Sequence, residues 1–246
     1  MEMTLKFGDK ATVADVRKLH DLEDVLFDKE WFDAIDARNK DMYYMFRDLA
    51  KNDSDLELIK AQHLRYDITV IPPGMLGSEY IKTVGHYHPK VPGKDVSYPE
   101  IYQVLEGSAM YLLQKVEHGE EDIVQDVAIV KAKKGDLVLI PPGYGHVTIN
   151  ASETTLEMAN WVCRDFSSIY EPINRLCGAS YFLLKDGFAK NPLYKEVPPL
   201  RYLKPLSHEE LELKAGENMY DLVYRTEKLR FLVTPQDYKG FFTKVL

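Results

Sequence analysis

From Leu64 to about residue 163 the chain is a succession of short apolar segments cut at fairly even intervals by turn residues. Leu64, Tyr66, Ile68 and Val70 alternate with Arg65, Asp67 and Thr69 before Ile71-Pro72-Pro73-Gly74 breaks the run. That is the period-two pattern of a half-buried strand. Further strand candidates follow around 80–88, 100–105, 108–115, 122–131, 137–140, 146–150 and 155–163. Between them lie Glu106-Gly107, His118-Gly119, Lys134-Gly135-Asp136 and Pro141-Pro142-Gly143, combinations that turn a chain rather than extend it. Many short strands with Gly/Pro turns predict an all-β domain, a sandwich or jelly-roll barrel, over residues 64–184.

The flanks read differently. Over 12–26, Thr12 can cap a first turn and Val13, Val16, Leu19, Leu22 and Leu26 recur at helical spacing. A second helix is expected from Asp41, with Met42, Met45, Phe46 and Leu49 on one face. Residues 1–63 therefore read as a helical N-terminal extension. At the other end Ser207-His208-Glu209-Glu210 has the form of a capping box, and Gly216 sits where a helix would stop. Residues 185–246 read as a mixed C-terminal extension wrapped on the barrel. Neither extension is assigned a catalytic part. With 246 residues, 45% of them apolar, the chain can bury one substantial core.

Charge narrows the function classes. Lys and Arg number 31 against 39 Asp and Glu, a net charge of −8 with no dense basic patch. Such a chain is a poor nucleic-acid binder and offers no basic face to anionic membranes. The opening MEMTLKFGDK lacks the apolar stretch of a signal peptide, and no run is long enough to span a bilayer. A cytoplasmic protein is expected. Cys163 and Cys177 belong to no CxxC or Cys/His cluster and read as reduced thiols.

Histidines carry the chemistry. In Gly85-His86-Tyr87-His88 the two imidazoles are two residues apart, and on a strand such residues face the same side. That spacing suits one metal ion, although an HxH pair also occurs at surfaces and in cores. Glu100 follows, with six residues between it and Gly107. Farther on, Gly135, Pro141, Gly143, His146 and Asn150 fill every fixed position of the pattern G-x5-P-x-G-x2-H-x3-N. These features resemble the two signature motifs of the cupin superfamily, which implies a jelly-roll β-barrel with His86, His88, Glu100 and His146 as metal ligands. Two departures stand out. The segment Pro89 to Pro99 is longer than the usual gap, and Tyr80 takes the place of a leading Gly. Asp95, inside that segment, is the rival carboxylate, whereas Glu100 keeps the E-x6-G register. Three imidazoles and a carboxylate suit Fe, Mn, Ni, Co or Zn rather than Ca, and leave coordination positions for water or substrate.

The run Thr83-Val84-Gly85-His86-Tyr87-His88-Pro89-Lys90, followed by Pro99-Glu100-Ile101-Tyr102, resembles the cupin-type glucose-6-phosphate isomerases, over about residues 64–190. The resemblance implies a sugar-phosphate substrate and reversible conversion of glucose 6-phosphate and fructose 6-phosphate, with one divalent ion per chain. Hydrogen would move between C1 and C2 as a proton through a cis-enediol, with Glu100 as candidate base, or as a hydride. The resemblance also places Thr69, Thr83, Gly85 and Tyr170 at the phosphate, lets Tyr102 face substrate, and puts Trp161 where the family has a Tyr. Each has a plainer reading: strand threonines chosen for β-propensity, a glycine relieving crowding, and core aromatics. Rival functions are an Fe or Ni cupin dioxygenase and a non-catalytic sugar-phosphate-binding cupin. A homodimer is expected, because sheet edges need cover.

Overall fold

The alternating segments do become strands in a computed structural model, which describes residues 2–214 and 216–245. Glu100–Glu106, Ser108–Glu117, Glu120–Lys133, Leu137–Ile140, Tyr144–Ile149 and Leu156–Cys163 lie close to where the pattern placed them. They sort into two sheets. A six-stranded sheet runs in the order Leu137–Ile140, Glu100–Glu106, Leu156–Cys163, Leu64–Ile71, Asp41–Phe46, Asp15–Lys18. A four-stranded sheet runs Tyr144–Ile149, Ser108–Glu117, Glu120–Lys133, Arg201–Leu203, the last pairing in parallel. Tyr102, Val104 and Met158 of the first sheet share one core with Tyr111, Leu113 and Val130 of the second. This is the face-to-face packing of a jelly roll. Asn150, at the end of the motif, is fully buried and donates to the carbonyls of Ile71 and Thr154 at 2.9 Å each, tying one sheet to the other.

The N-terminal expectation needs correction. Residues 12–26 are not one helix: strands Lys10–Val13 and Asp15–Lys18 are followed by a 3-10 helix, Leu19–Val25. The segment from Asp41 is the strand Asp41–Phe46, whose Tyr44, Met45 and Phe46 pair with Val70, Thr69 and Ile68. β-Branched and aromatic residues at these positions favour a pleated, packed strand over a helix, and the sheet supplies the partner that local periodicity cannot show. True helices occupy Lys29–Ala34 and Asp53–Ala61, capped by Asp28 and Asn52, whose side chains accept the amides of Trp31 and Asp55 at 2.9 and 2.8 Å. The stretch 80–88 is likewise not one strand. After Glu79–Tyr80 it touches its neighbours through isolated bridges, Lys82 to Ile149, His86 to His146 and Tyr87 to Ile169.

The C-terminal segment lies on the outer face of the six-stranded sheet. Leu64, Tyr66, Ile68, Ile101 and Trp161 bury themselves there against Met219, Tyr220, Leu222 and Leu232. Polar groups seal the contact. Trp161 Nε1 donates to the Met219 carbonyl at 2.9 Å, and the Gln103 amide bonds the backbone at Glu217 and Met219 at 2.9 and 2.7 Å. Ser207 does cap a helix, but a single 3-10 turn, His208–Leu211, which stops at Glu212 in the left-handed region, before Gly216.

Candidate metal centre

The site is built on one backbone bridge. The amide of His86 donates to the carbonyl of His146 at 3.2 Å, and the amide of His146 returns a bond to His86 at 3.0 Å. Gly85 makes this approach possible. It sits at φ +84°, and a Cβ there would lie 2.5 Å from Val147 Cγ2 and 3.2 Å from the His146 carbonyl. Only glycine takes that conformation in that space without strain.

The bridge sets two imidazoles side by side, and the loop brings a third. His86 Nε2 and His88 Nε2 are 3.2 Å apart. Glu100, first residue of its strand, places Oε2 3.4 Å from both His88 Nε2 and His146 Nε2. All four side chains offer a ligand atom within 4.8 Å of the others. The His88 Nδ1–H donates to the Tyr98 carbonyl at 2.9 Å, which fixes the tautomer and leaves the Nε2 lone pair facing the cluster, as metal-binding histidines are usually held. Glu100 Oε2 is buried with no hydrogen-bond partner. A buried carboxylate oxygen left so, aimed at imidazole nitrogens, fits a divalent cation at their centre.

Electrostatics agree with a ligand set. Burial pushes the His146 pKa down to about 4, with Glu100 opposing and His88 assisting. Burial, then His146 and His88, hold His86 well below the ordinary imidazole range. Both rings are neutral near pH 7, the state that donates a lone pair. For Glu100 burial pushes upward, but the contact with His88 and the charges of His88 and His146 outweigh it, and the carboxyl titrates below its usual range. Burial and the Glu100 charge lift the Tyr102 hydroxyl far above its usual range, so it stays protonated, 3.2 Å from His146 Nε2.

Thr69, Thr83, Gly85, Tyr102 and Tyr170 all line the cleft that holds the four candidate ligands. The Thr83 hydroxyl accepts the Thr148 amide at 3.0 Å, which leaves its proton free to donate. The Tyr170 ring lies 5.4 Å from that of His86, and the Arg17 guanidinium lies over it, 5.8 Å from the ring centroid. Two alternatives fall away. Asp95 is 92% exposed and pairs with Lys90, so it points to solvent, not into the cleft. Trp161 faces the C-terminal segment on the far side of its sheet.

The cleft also has a wall without a sequence assignment: Tyr43 and Met45 from the strand Asp41–Phe46, Arg47 just after it, and Arg65 and Asp67 beside Thr69. Asp67 is almost wholly buried and takes Arg65 Nε at 2.9 and 3.1 Å. Burial pushes its carboxyl up, with Arg65 pulling the other way. The only sequence signal was alternation, which put Arg65, Asp67 and Thr69 on one face without saying what that face meets.

Residues 16–197 match the family model for glucose-6-phosphate isomerase. The chain is 29% identical over 139 residues to the glucose-6-phosphate isomerase of Thermococcus litoralis, covering 56% of this chain and 63% of that protein. It is 27% identical over 184 residues to that of Thermococcus kodakarensis, covering 74% and 87%. The match to the T. litoralis protein thus spans less than two thirds of its length. Among solved structures the chain overlaps in part with the oxalate decarboxylase of Lactobacillus farciminis, at 18% identity and TM-score 0.37, over 52% of this chain and 31% of that one.

Proposed function

Because the chain belongs to the glucose-6-phosphate isomerase family, we propose that it is a metal-dependent aldose–ketose isomerase interconverting glucose 6-phosphate and fructose 6-phosphate. The observation that carries this reading is the convergence of His86, His88, Glu100 and His146 within 4.8 Å in a cleft lined by hydroxyl donors. These four residues hold one divalent ion, of Fe, Mn, Ni, Co or Zn type. An ion held there would supply Lewis acidity where negative charge develops on the substrate.

The chain's own groups do the rest. Glu100, ionised at neutral pH, takes the C2 proton and returns it at C1 through a cis-enediol, while the O2 hydroxyl proton passes to O1, so that the carbonyl moves from C1 to C2. Tyr102, held protonated, donates to a substrate oxygen. Thr69 and Thr83 offer hydroxyls, and Gly85 its backbone, to the phosphate, while Tyr170 closes that end of the cleft. Among the described residues no helix is long and apolar enough to cross a membrane; we place the protein in the cytoplasm, in glycolysis and gluconeogenesis. We also propose a homodimer, on the support of the outer strand Arg201–Leu203, which leaves Tyr202 60% exposed at a sheet edge.

The test is a coupled assay of fructose 6-phosphate isomerisation by chelator-stripped protein, before and after single divalent metals are added. Metal-restored formation of glucose 6-phosphate is the expected result. No turnover with any metal, in protein shown to be folded, removes the isomerase reading. Light scattering that finds only monomer at working concentration removes the dimer.

A further inference from the structure

The register of the six-stranded sheet fixes what stands beside the metal cluster. Arg65 lies opposite Val162, which lies opposite Glu100; one row along, Asp67 lies opposite Asn160 and then Tyr102. Two strand spacings separate Arg65 from Glu100, about 10 Å at the backbone. Arg65 and the cluster line the same cleft, so its guanidinium can meet a molecule that extends along the cleft from the cluster.

The guanidinium is oriented for such a meeting. It binds Asp67 through Nε, at 2.9 Å to Oδ2 and 3.1 Å to Oδ1. Among the described residues its two Nη groups make no hydrogen bond to protein, and a quarter of the side chain, 26%, remains exposed to the cleft. Asp67 is held in turn by the Asp48 amide at 2.8 Å. Arg47 approaches the same carboxylate from just after the strand Asp41–Phe46, with Nη1 3.9 Å from Oδ2, while its Nε contacts Asp15 at 3.2 Å. Two guanidiniums thus share one buried carboxylate in the cleft wall. Arg47 has Asp15 as its own partner, so what the wall leaves unmet is the pair of Arg65 Nη donors, a fork suited to an oxyanion.

We propose that Arg65, oriented by Asp67 and supported by Arg47, is an anion-recognition residue that takes the phosphate monoester of the substrate through its Nη groups. Thr69 and Thr83 are short neutral donors; Arg65 adds a charge-assisted fork. That the anion is a sugar phosphate rests on the isomerase reading, whereas the anion site itself does not.

Two measurements on the full, metal-loaded chain separate these claims. In calorimetric titration with inorganic phosphate, Arg65→Gln weakens binding by about 10- to 100-fold, the usual weight of a charge-assisted pair. Arg65→Lys, which keeps the charge and loses the fork, weakens it less but by at least about threefold; it carries the test if Arg65→Gln does not fold. Phosphate held by the metal alone is indifferent to both changes. Binding within twofold of wild type in both variants, or no phosphate binding by wild type, overturns the proposal. In kinetics, Arg65→Gln raises KM for fructose 6-phosphate by the same factor with kcat within threefold, and a fall in kcat at unchanged KM also overturns it. Arg65-dependent phosphate binding by a protein that turns over no sugar phosphate would sink the isomerase reading and leave the anion site standing.

Discussion

Gly85→Ala distinguishes a glycine that serves the substrate from one that serves the fold. At φ +84° an L side chain costs about 1–2 kcal/mol in the left-handed region. The new Cβ also starts 2.5 Å from Val147 Cγ2, 3.1 Å from Ile173 Cδ1 and 3.2 Å from the His146 carbonyl. Val147 cannot simply turn away, because it is packed with Leu112 and Ile149 in a buried cluster. The His146 carbonyl cannot move without opening the bond from the His86 amide. Overpacking of this kind costs about 1–3 kcal/mol. Together the two effects come to about 2–5 kcal/mol, and for a chain of this size to a melting temperature lower by about 4–20 °C.

The steric account predicts that stability and metal content fall together, since the shifted backbone carries two of the four candidate ligands. Thermal melts followed by circular dichroism, with metal per chain by mass spectrometry, check both. A variant that melts within a degree of wild type and keeps its metal refutes the steric argument. If that variant also showed a raised KM for fructose 6-phosphate, Gly85 would act through its backbone at the phosphate instead.

Three further outcomes are expected. Glu100→Gln, which keeps the shape and removes the charge, lowers kcat by about 10²–10⁴ and reduces metal per chain; turnover within tenfold of wild type would take Glu100 out of the chemistry. In metal-stripped protein, His146 titrates near 4 when folded and near 6.5 when unfolded. Its stabilising contribution is therefore present above pH 6.5 and lost as pH falls toward 4, by up to about 3 kcal/mol (2.5 pH units at 1.36 each). Urea melts from pH 7.5 to 4.5 should show that loss, and its persistence at full size in His146→Gln would be contrary. Tyr220→Phe deletes a hydroxyl that donates to buried Asp55 at 2.6 Å and accepts the Lys51 amide at 2.8 Å; about 1–3 kcal/mol should disappear from a urea melt, and an unchanged midpoint would mean that the C-terminal segment is not integral to the fold.

The sequence was most legible where a local pattern is enforced by the site itself. Gly135, Pro141, Gly143, His146 and Asn150 could be read together because each answers a different demand of one turn and strand. The shared strand face expected for HxH is not what forms: His86 and His88 lie outside regular strands and converge through the His86–His146 bridge and the bend at Gly85. The N-terminal strands were illegible for a physical reason. Val13, Val16 and Leu19 fit a helical period by accident of spacing, while pairing of Asp15, Val16 and Arg17 with Met45, Tyr44 and Tyr43 depends on residues almost thirty positions away.

The alternation in Leu64–Ile71 predicts a half-buried strand, whereas the strand is buried on both faces, and the difference bears on function. A period-two pattern shows that two faces differ; it does not say which one meets water. Here the apolar face, Leu64, Tyr66 and Ile68, is turned outward and covered by the C-terminal segment around Met219 and Tyr220. The polar face, Arg65, Asp67 and Thr69, is thereby left to line the cleft. The strand Asp41–Phe46 extends the same wall with Tyr43 and Met45, and Arg47 follows just after it. The two extensions thus shape the site without contributing a candidate ligand: one supplies part of the wall, and the other lets the sheet turn its charged side inward. A jelly roll without such a cover would have to keep its apolar side chains on the inner face, where a hydrogen-bonded Arg65–Asp67 pair could not stand beside the ligands.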